Sequence, residues 1–204
     1  MATQSARRTQ AERTAETRAR IMDAVVECIA DVGFGRATAS EITRRAGVTW
    51  GAVQHHFGDK DGILRAVLED SFERFAERLE GMPGAGASVN GRVDAFVDCA
   101  WSHFGSADYQ STFEILLQVE RARAPGDLPT WQSGMSKEWS RIWRAAFADA
   151  RLSRRESLAL QRYTVSVLTG IASMRVIGGG GQRRPDAELD LLKDALSRSL
   201  QGQA

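Results

Sequence analysis

Apolar residues recur along this chain three and four positions apart, and no run alternates apolar with polar residues as a half-buried strand would. The spacing predicts helices throughout. The first runs from about Thr14 to Asp31, with Ile21, Val25, Cys28 and Val32 on one face and Gly33 closing it. Thr38-Ala39-Ser40-Glu41 has the form of a capping box, in which hydroxyl and carboxylate satisfy two helix-end amides reciprocally, and opens a short helix ending at Ala46 before Gly47. Thr49 caps a third helix that buries Val53 and Phe57. Gly58 and Asp59 separate it from a fourth, running to about Glu80 with Leu64, Leu68, Phe72, Phe75 and Leu79 inside. Beyond the glycine-rich loop at 81–86, five more helices are predicted near 89–105, 108–123, 129–151, 154–177 and 186–201. The expected fold is therefore all-α with about nine helices. It divides into a leader at 1–13 without an apolar face, expected to be disordered, a three-helix helix-turn-helix domain at 14–60, and a larger helical domain at 61–204.

Two short helices joined by a glycine-containing turn form the arrangement that places its second helix in the DNA major groove. With Val53 and Phe57 facing inward, Gly51, Ala52, Gln54 and His55 project outward and Trp50 and His56 flank them. Gln54 is the sharpest candidate reader, because a carboxamide pairs bidentately with adenine N6 and N7, and Ala52 suits a thymine methyl. The same residues also fit a plain polar helix face. His55 and His56 do not suggest a metal site, since adjacent helical side chains point about 100° apart and no third ligand follows.

The second domain is rich in aromatics. Trp101, Phe104, Tyr109, Phe113, Trp131, Trp139, Trp143 and Phe147 serve either a core or the apolar lining of a small-molecule pocket. His103, Gln110, Glu114 and Gln118 are candidate polar groups beside them. Leu160, Tyr163, Val167, Leu168, Ile171 and Met174 make a wide stripe on the eighth helix, and Leu189, Leu192, Leu196 and Leu200 one on the ninth. Such stripes fit an intermolecular seam or the inside of a single domain.

Composition adds exclusions. At 43% hydrophobic, 26% charged and a net charge of +1, the chain carries no global basic signal, so a basic footprint must be local. It is local: residues 1–20 hold five arginines against two glutamates. The two cysteines, Cys28 and Cys99, each fall on an apolar helical face, as expected of thiols in a reducing, cytoplasmic setting. No run of apolar residues is long enough for a membrane span. With three histidines and no catalytic motif or zinc spacing, an enzyme is not expected, nor a metal or cofactor.

The stretch from Thr17 to Glu69 resembles the DNA-binding region of the tetracycline-repressor (TetR) family. The resemblance rests on Ile21, Ala24, Gly33, Phe34, Thr38, Ile42, Ala46-Gly47-Val48, Gly51, His56-Phe57, Lys60 and Leu64. It implies an all-helical homodimer on palindromic operator DNA, a recognition helix from Thr49 to Phe57, a phosphate contact from Lys60, and Thr38 and Ser40 near the backbone or groove edge. It also implies a cavity for a largely apolar effector among the fifth to eighth helices, for which Trp101, His103, Phe104, Phe113, Glu114, Trp131, Trp139 and Trp143 are the candidates. Pairing of the last two helices with a second copy would use Leu168, Ile171, Leu192 and Leu196. Gln54 stands where the family commonly has Tyr, Trp50 where it often has a small or basic residue, and Ser40 where some members carry a base-reading arginine, so no operator sequence carries over. The function this implies is a ligand-responsive regulator, a repressor released from DNA by a small molecule. Its rivals are an activator of the same fold and a helical sensor or interaction protein without DNA binding.

Overall fold

A computed structural model of the chain describes residues 9–82, 88–122, 130–177 and 184–202, with side chains in the seventh helix from Gln132 onward. Among these residues the regular elements are α1 (Gln10–Val32), α2 (Ala39–Ala46), α3 (Trp50–Phe57), α4 (Lys60–Glu80), α5 (Val89–Phe104), α6 (Ala107–Ala122), α7 (Thr130–Ala146), α8 (Arg154–Ile177) and α9 (Asp186–Gln201). A single 3-10 turn at Phe34–Arg36 follows α1.

Three local expectations change. Helix α1 starts at Gln10 rather than Thr14, so residues 10–13 are not part of a disordered leader; residues 1–8 lie outside the described residues. The cause is a capping box, in which the Glu12 amide donates to Thr9 Oγ1 at 3.2 Å and the Thr9 amide to Glu12 Oε2 at 2.6 Å. The box expected at Thr38 forms only by half. The Glu41 amide donates to Thr38 Oγ1, but the Glu41 carboxylate accepts from Arg44 and Arg45 at 2.6–2.9 Å, a charge-assisted pairing that outcompetes one amide. These bonds hold its carboxyl at about 2, below the usual carboxylate range. Helix α7 ends at Ala146, short of 151, and beyond it Asp149 takes both carboxylate oxygens to Arg92 at 2.6 and 2.7 Å.

The chain resolves into two compact units whose limits differ from a cut at 60/61. The first comprises the described residues up to Leu68 and those from Ser111 to the end of α6; the second comprises Glu69–Gln110 and the described residues from α7 onward. Helices α4 and α6 thus give turns to both. In the first unit α1 packs on α2 and the 3-10 turn, and α2 on α3. Its buried residues include Ile21, Val25 and Cys28 of α1, Ile42 of α2, Val53 of α3 and Val67 of α4.

In the second unit α5 packs against α8 and α9, and α8 against α7 and α9. Phe96, Trp143, Leu168, Leu189, Leu192 and Leu196 lie at the centre of one core. Three residues of the expected dimer seam lie elsewhere: Leu168, Leu192 and Leu196 are 0%, 1% and 0% exposed inside the chain's own core, while Ile171 is only partly buried against it. A wide apolar stripe has two edges, and these leucines occupy the inward one. The outward edge carries Tyr163 and Met174 on α8 and Leu191 on α9, the last two 64% and 69% exposed.

Candidate nucleic-acid interface and sensor residues

The turn between α2 and α3 is fixed by backbone geometry. Gly47 adopts φ +61°, where only glycine is unstrained, and the amides of Gly47 and Val48 return to the carbonyls of Arg44 and Thr43. Thr49 then caps α3, its Oγ1 accepting from the Ala52 amide at 3.2 Å. Val53 is fully buried. Gly51, Gln54 and His55 are exposed, while Trp50, Ala52 and His56 are half-buried at the flanks. Thr38, Ser40, Thr49 and Lys60 are exposed as well.

One residue of this interface is missing from the sequence reading. Arg18 of α1 donates from Nη1 to the His56 carbonyl at 2.5 Å, and its guanidinium lies 4.4 Å from the centre of the Phe57 ring. It therefore satisfies an orphan carbonyl at the end of α3 and clamps the helix that carries Gln54. Its position was available, since 18, 21, 25 and 28 continue the inward stripe of α1. Burial, then His55 and Arg18, push the His56 imidazole below its ordinary value, so it is neutral near pH 7.

The start of α4 is equally constrained. Asp59 Oδ1 accepts the Gly62 amide at 2.7 Å, and a Cβ at Gly62 would overlap the Phe57 carbonyl oxygen. Lys60 Nζ lies 5.2 Å from the centre of the Phe34 ring, and the Phe34 amide donates to Glu114 Oε2 of α6 at 3.0 Å.

The candidate sensor residues are divided between the two units. Trp101, Phe104, Trp139 and Trp143 belong to the hydrophobic core of the second unit, and His103 joins it through ring contacts with Phe75 and Phe104. There His103 stacks on Phe75 at 4.4 Å, Phe75 on Trp139 at 5.7 Å, and Phe96 meets Trp139 and Trp143 at 5.5 and 5.4 Å. Burial, reinforced by Arg78 and Arg74, lowers the His103 imidazole to about 4. Trp139 Nε1 is buried and has no hydrogen-bond partner among the described residues. Phe113 and Glu114, in contrast, fall in the first unit, and the Trp131 side chain lies outside the described residues.

The family profile described as "Bacterial regulatory proteins, tetR family" matches residues 21–67. An HTH-type transcriptional regulator BetI of Escherichia coli is 38% identical over 122 residues, covering 58% of this chain and 55% of that protein. Over residues 21–67 the chain is similar to the tetR family. The tetR profile ends at Val67, one residue before the first unit leaves α4. The chain spans about half the length of the BetI relatives it matches, 55% and 41% in two of them. An HTH-type transcriptional repressor, Rv1474c of Mycobacterium tuberculosis, is 27% identical over 91% of this chain and 95% of its own length. The fold of this chain is shared with the fatty acid degradation regulator FadR of Bacillus halodurans, at a TM-score of 0.68 and 15% identity over 92% of this chain and 97% of that one. Among the described residues no helix is long and apolar enough to cross a membrane.

Proposed function

We propose that the chain is a homodimeric, ligand-responsive transcriptional regulator that represses by occupying a palindromic operator in the cytoplasm, without catalytic activity. The observation that carries this reading is α3, clamped by Arg18 and buried through Val53, with Gln54 and His55 exposed along it and Lys60 exposed at the following helix start. Gln54 reads a base edge, and Lys60, Thr38, Ser40 and Thr49 serve the backbone. The names of BetI and of the repressor Rv1474c support the regulatory reading. Two proteins of the same fold, described in complex with stearoyl-CoA and with imidazole, support a small-molecule effector. The dimer face is the outward edge of α8 and α9, with Tyr163, Met174 and Leu191 in place of the buried leucines.

The experiment is a selection of duplexes from a random pool by the full chain, followed by fluorescence anisotropy across a salt series. A two-fold symmetric consensus with salt-dependent binding is expected. A pool that yields no enriched sequence, with binding no tighter than to random duplex, overturns the reading.

A further inference from the structure

A groove of about 910 Å³ runs between α7 and the start of α8, wholly within the second unit. Among the described residues its lining holds three cations, Lys137, Arg144 and Arg154, and no carboxylate. The nearby acids are engaged: Glu138 pairs with Arg141, and Glu156 accepts the Ser153 amide at 2.8 Å. Among the described residues Lys137 and Arg154 form no ion pair. With three cations and no carboxylate among its described lining residues, the groove is electrostatically suited to an anion.

The polar wall of the groove is ordered. Ser140 Oγ donates to Gln161 Oε1 at 2.9 Å, and Gln161 Nε2 donates to Ser157 Oγ at 3.2 Å. Gln161 is only 5% exposed, so this pair of bonds is sheltered and fixes the Ser157 oxygen as an acceptor, which leaves its proton to donate into the groove. The floor is apolar, made by Trp143, Phe147 and Leu152. Charged groups at the rim over an aromatic floor match a ligand with two kinds of surface.

We infer that the α7–α8 groove binds a small organic anion, its charged head held by Lys137, Arg144, Arg154 and the Ser157 hydroxyl and its apolar body lying on Trp143 and Phe147. The inference rests on the reading of this chain as a small-molecule sensor and gives that sensor its ligand class. The head is a carboxylate or a phosphate ester, both of which accept charge-assisted hydrogen bonds from arginine. Of the candidate sensor residues, the site takes only Trp143.

The test is isothermal titration of the full chain with octanoate, octyl phosphate and octanol. Both anions are expected to bind at least about tenfold more tightly than the alcohol, the size of effect that one charge-assisted bond supplies. Whichever anion binds more tightly identifies the head. The double variant Lys137→Gln/Arg154→Gln is expected to remove that preference with an unchanged melting temperature, and Ser157→Ala to weaken the anions alone. Absence of anion binding, equal affinity for octanol, or a double variant that keeps the preference for the anions overturns the inference. DNA affinity measured with and without saturating octanoate separates the two readings: anion binding without a shift leaves the groove's ligand class standing and sinks its role as effector site.

Discussion

The Glu114 carboxylate accepts the backbone amide of Phe34 at 3.0 Å across eighty residues of sequence, and the Phe34 ring lies under the ammonium of Lys60. A residue of α6 therefore anchors the turn beside the proposed phosphate contact. Glu114→Ala is expected to speed hydrogen exchange of the Phe34 amide by about tenfold and to weaken DNA binding several-fold. Glu114→Gln, whose side-chain carbonyl still accepts, should keep most of the protection. Unchanged exchange at Phe34 in the alanine variant, read by NMR, would show that the bond does not hold the turn.

Arg18 should matter more than its place outside the recognition helix suggests. Arg18→Ala removes both the bond to the His56 carbonyl and the guanidinium over Phe57, a loss of about 1–2 kcal/mol in urea unfolding. Arg18→Lys should recover little, because an ammonium lacks the planar face and the fork of donors. DNA affinity is expected to fall in both, since α3 loses its clamp; a lysine variant indistinguishable from wild type would count against the stacking.

Gln54→Ala is expected to relax specificity at a single operator position at a cost of roughly 1–3 kcal/mol. Lys60→Ala should instead weaken all duplexes alike and lower the salt slope by about one. Anisotropy on matched and mismatched duplexes across salt distinguishes the two, and identical profiles would dissolve the division of roles.

His103 gives the second unit a pH signature. Its folded value of about 4 lies below the ordinary 6.5, so between those values the unfolded chain binds the extra proton and the folded chain does not. Its contribution is complete above pH 6.5 and is lost progressively as pH falls toward 4. Relative to His103→Gln, wild type should lose stability across that window and run parallel to it at pH 7 and above. Parallel melting curves from pH 7 to pH 4 would mean that the imidazole is not desolvated in solution.

The two edges of α8 should respond oppositely to charge. Tyr163→Lys with Met174→Lys, on the exposed edge, is expected to give folded monomers in sedimentation with unchanged circular dichroism. Leu168→Glu puts a carboxylate in a fully buried core and should cost more than about 4 kcal/mol, leaving unfolded or insoluble chains. A lysine double variant that stays dimeric would place the interface elsewhere.

Much of the fold was legible because helical periodicity and end signals are local. Thr38, Gly47, Thr49 and Gly58 mark the boundaries where the backbone turns, and α8 and α9 run as their stripes foretold. The Thr9–Glu12 box was equally written in the chain, yet α1 there lacks an apolar face, and periodicity alone starts the helix too late. What sequence could not supply was the choice among partners. Glu41 had two kinds of donor within reach and took the arginines; Leu168 sat on a stripe with two edges and took the inner one. Arg18 and Glu114 act on residues 38 and 80 positions away, and a pairing over that distance leaves no local pattern.

Gly62 carries a consequence for how this protein tolerates change. Any side chain there meets the Phe57 carbonyl, which is backbone and cannot rotate aside, so the corner joining α3 to α4 must open to admit even a methyl group. In a saturation library scored for DNA binding, position 62 should behave as an all-or-nothing site, with alanine as damaging as tryptophan. Exposed Gln54 nearby should show a graded series instead, because its replacements alter what is read without moving the reader. On the proposed function, the route to a new operator passes through the face of α3, while the corner behind it stays frozen.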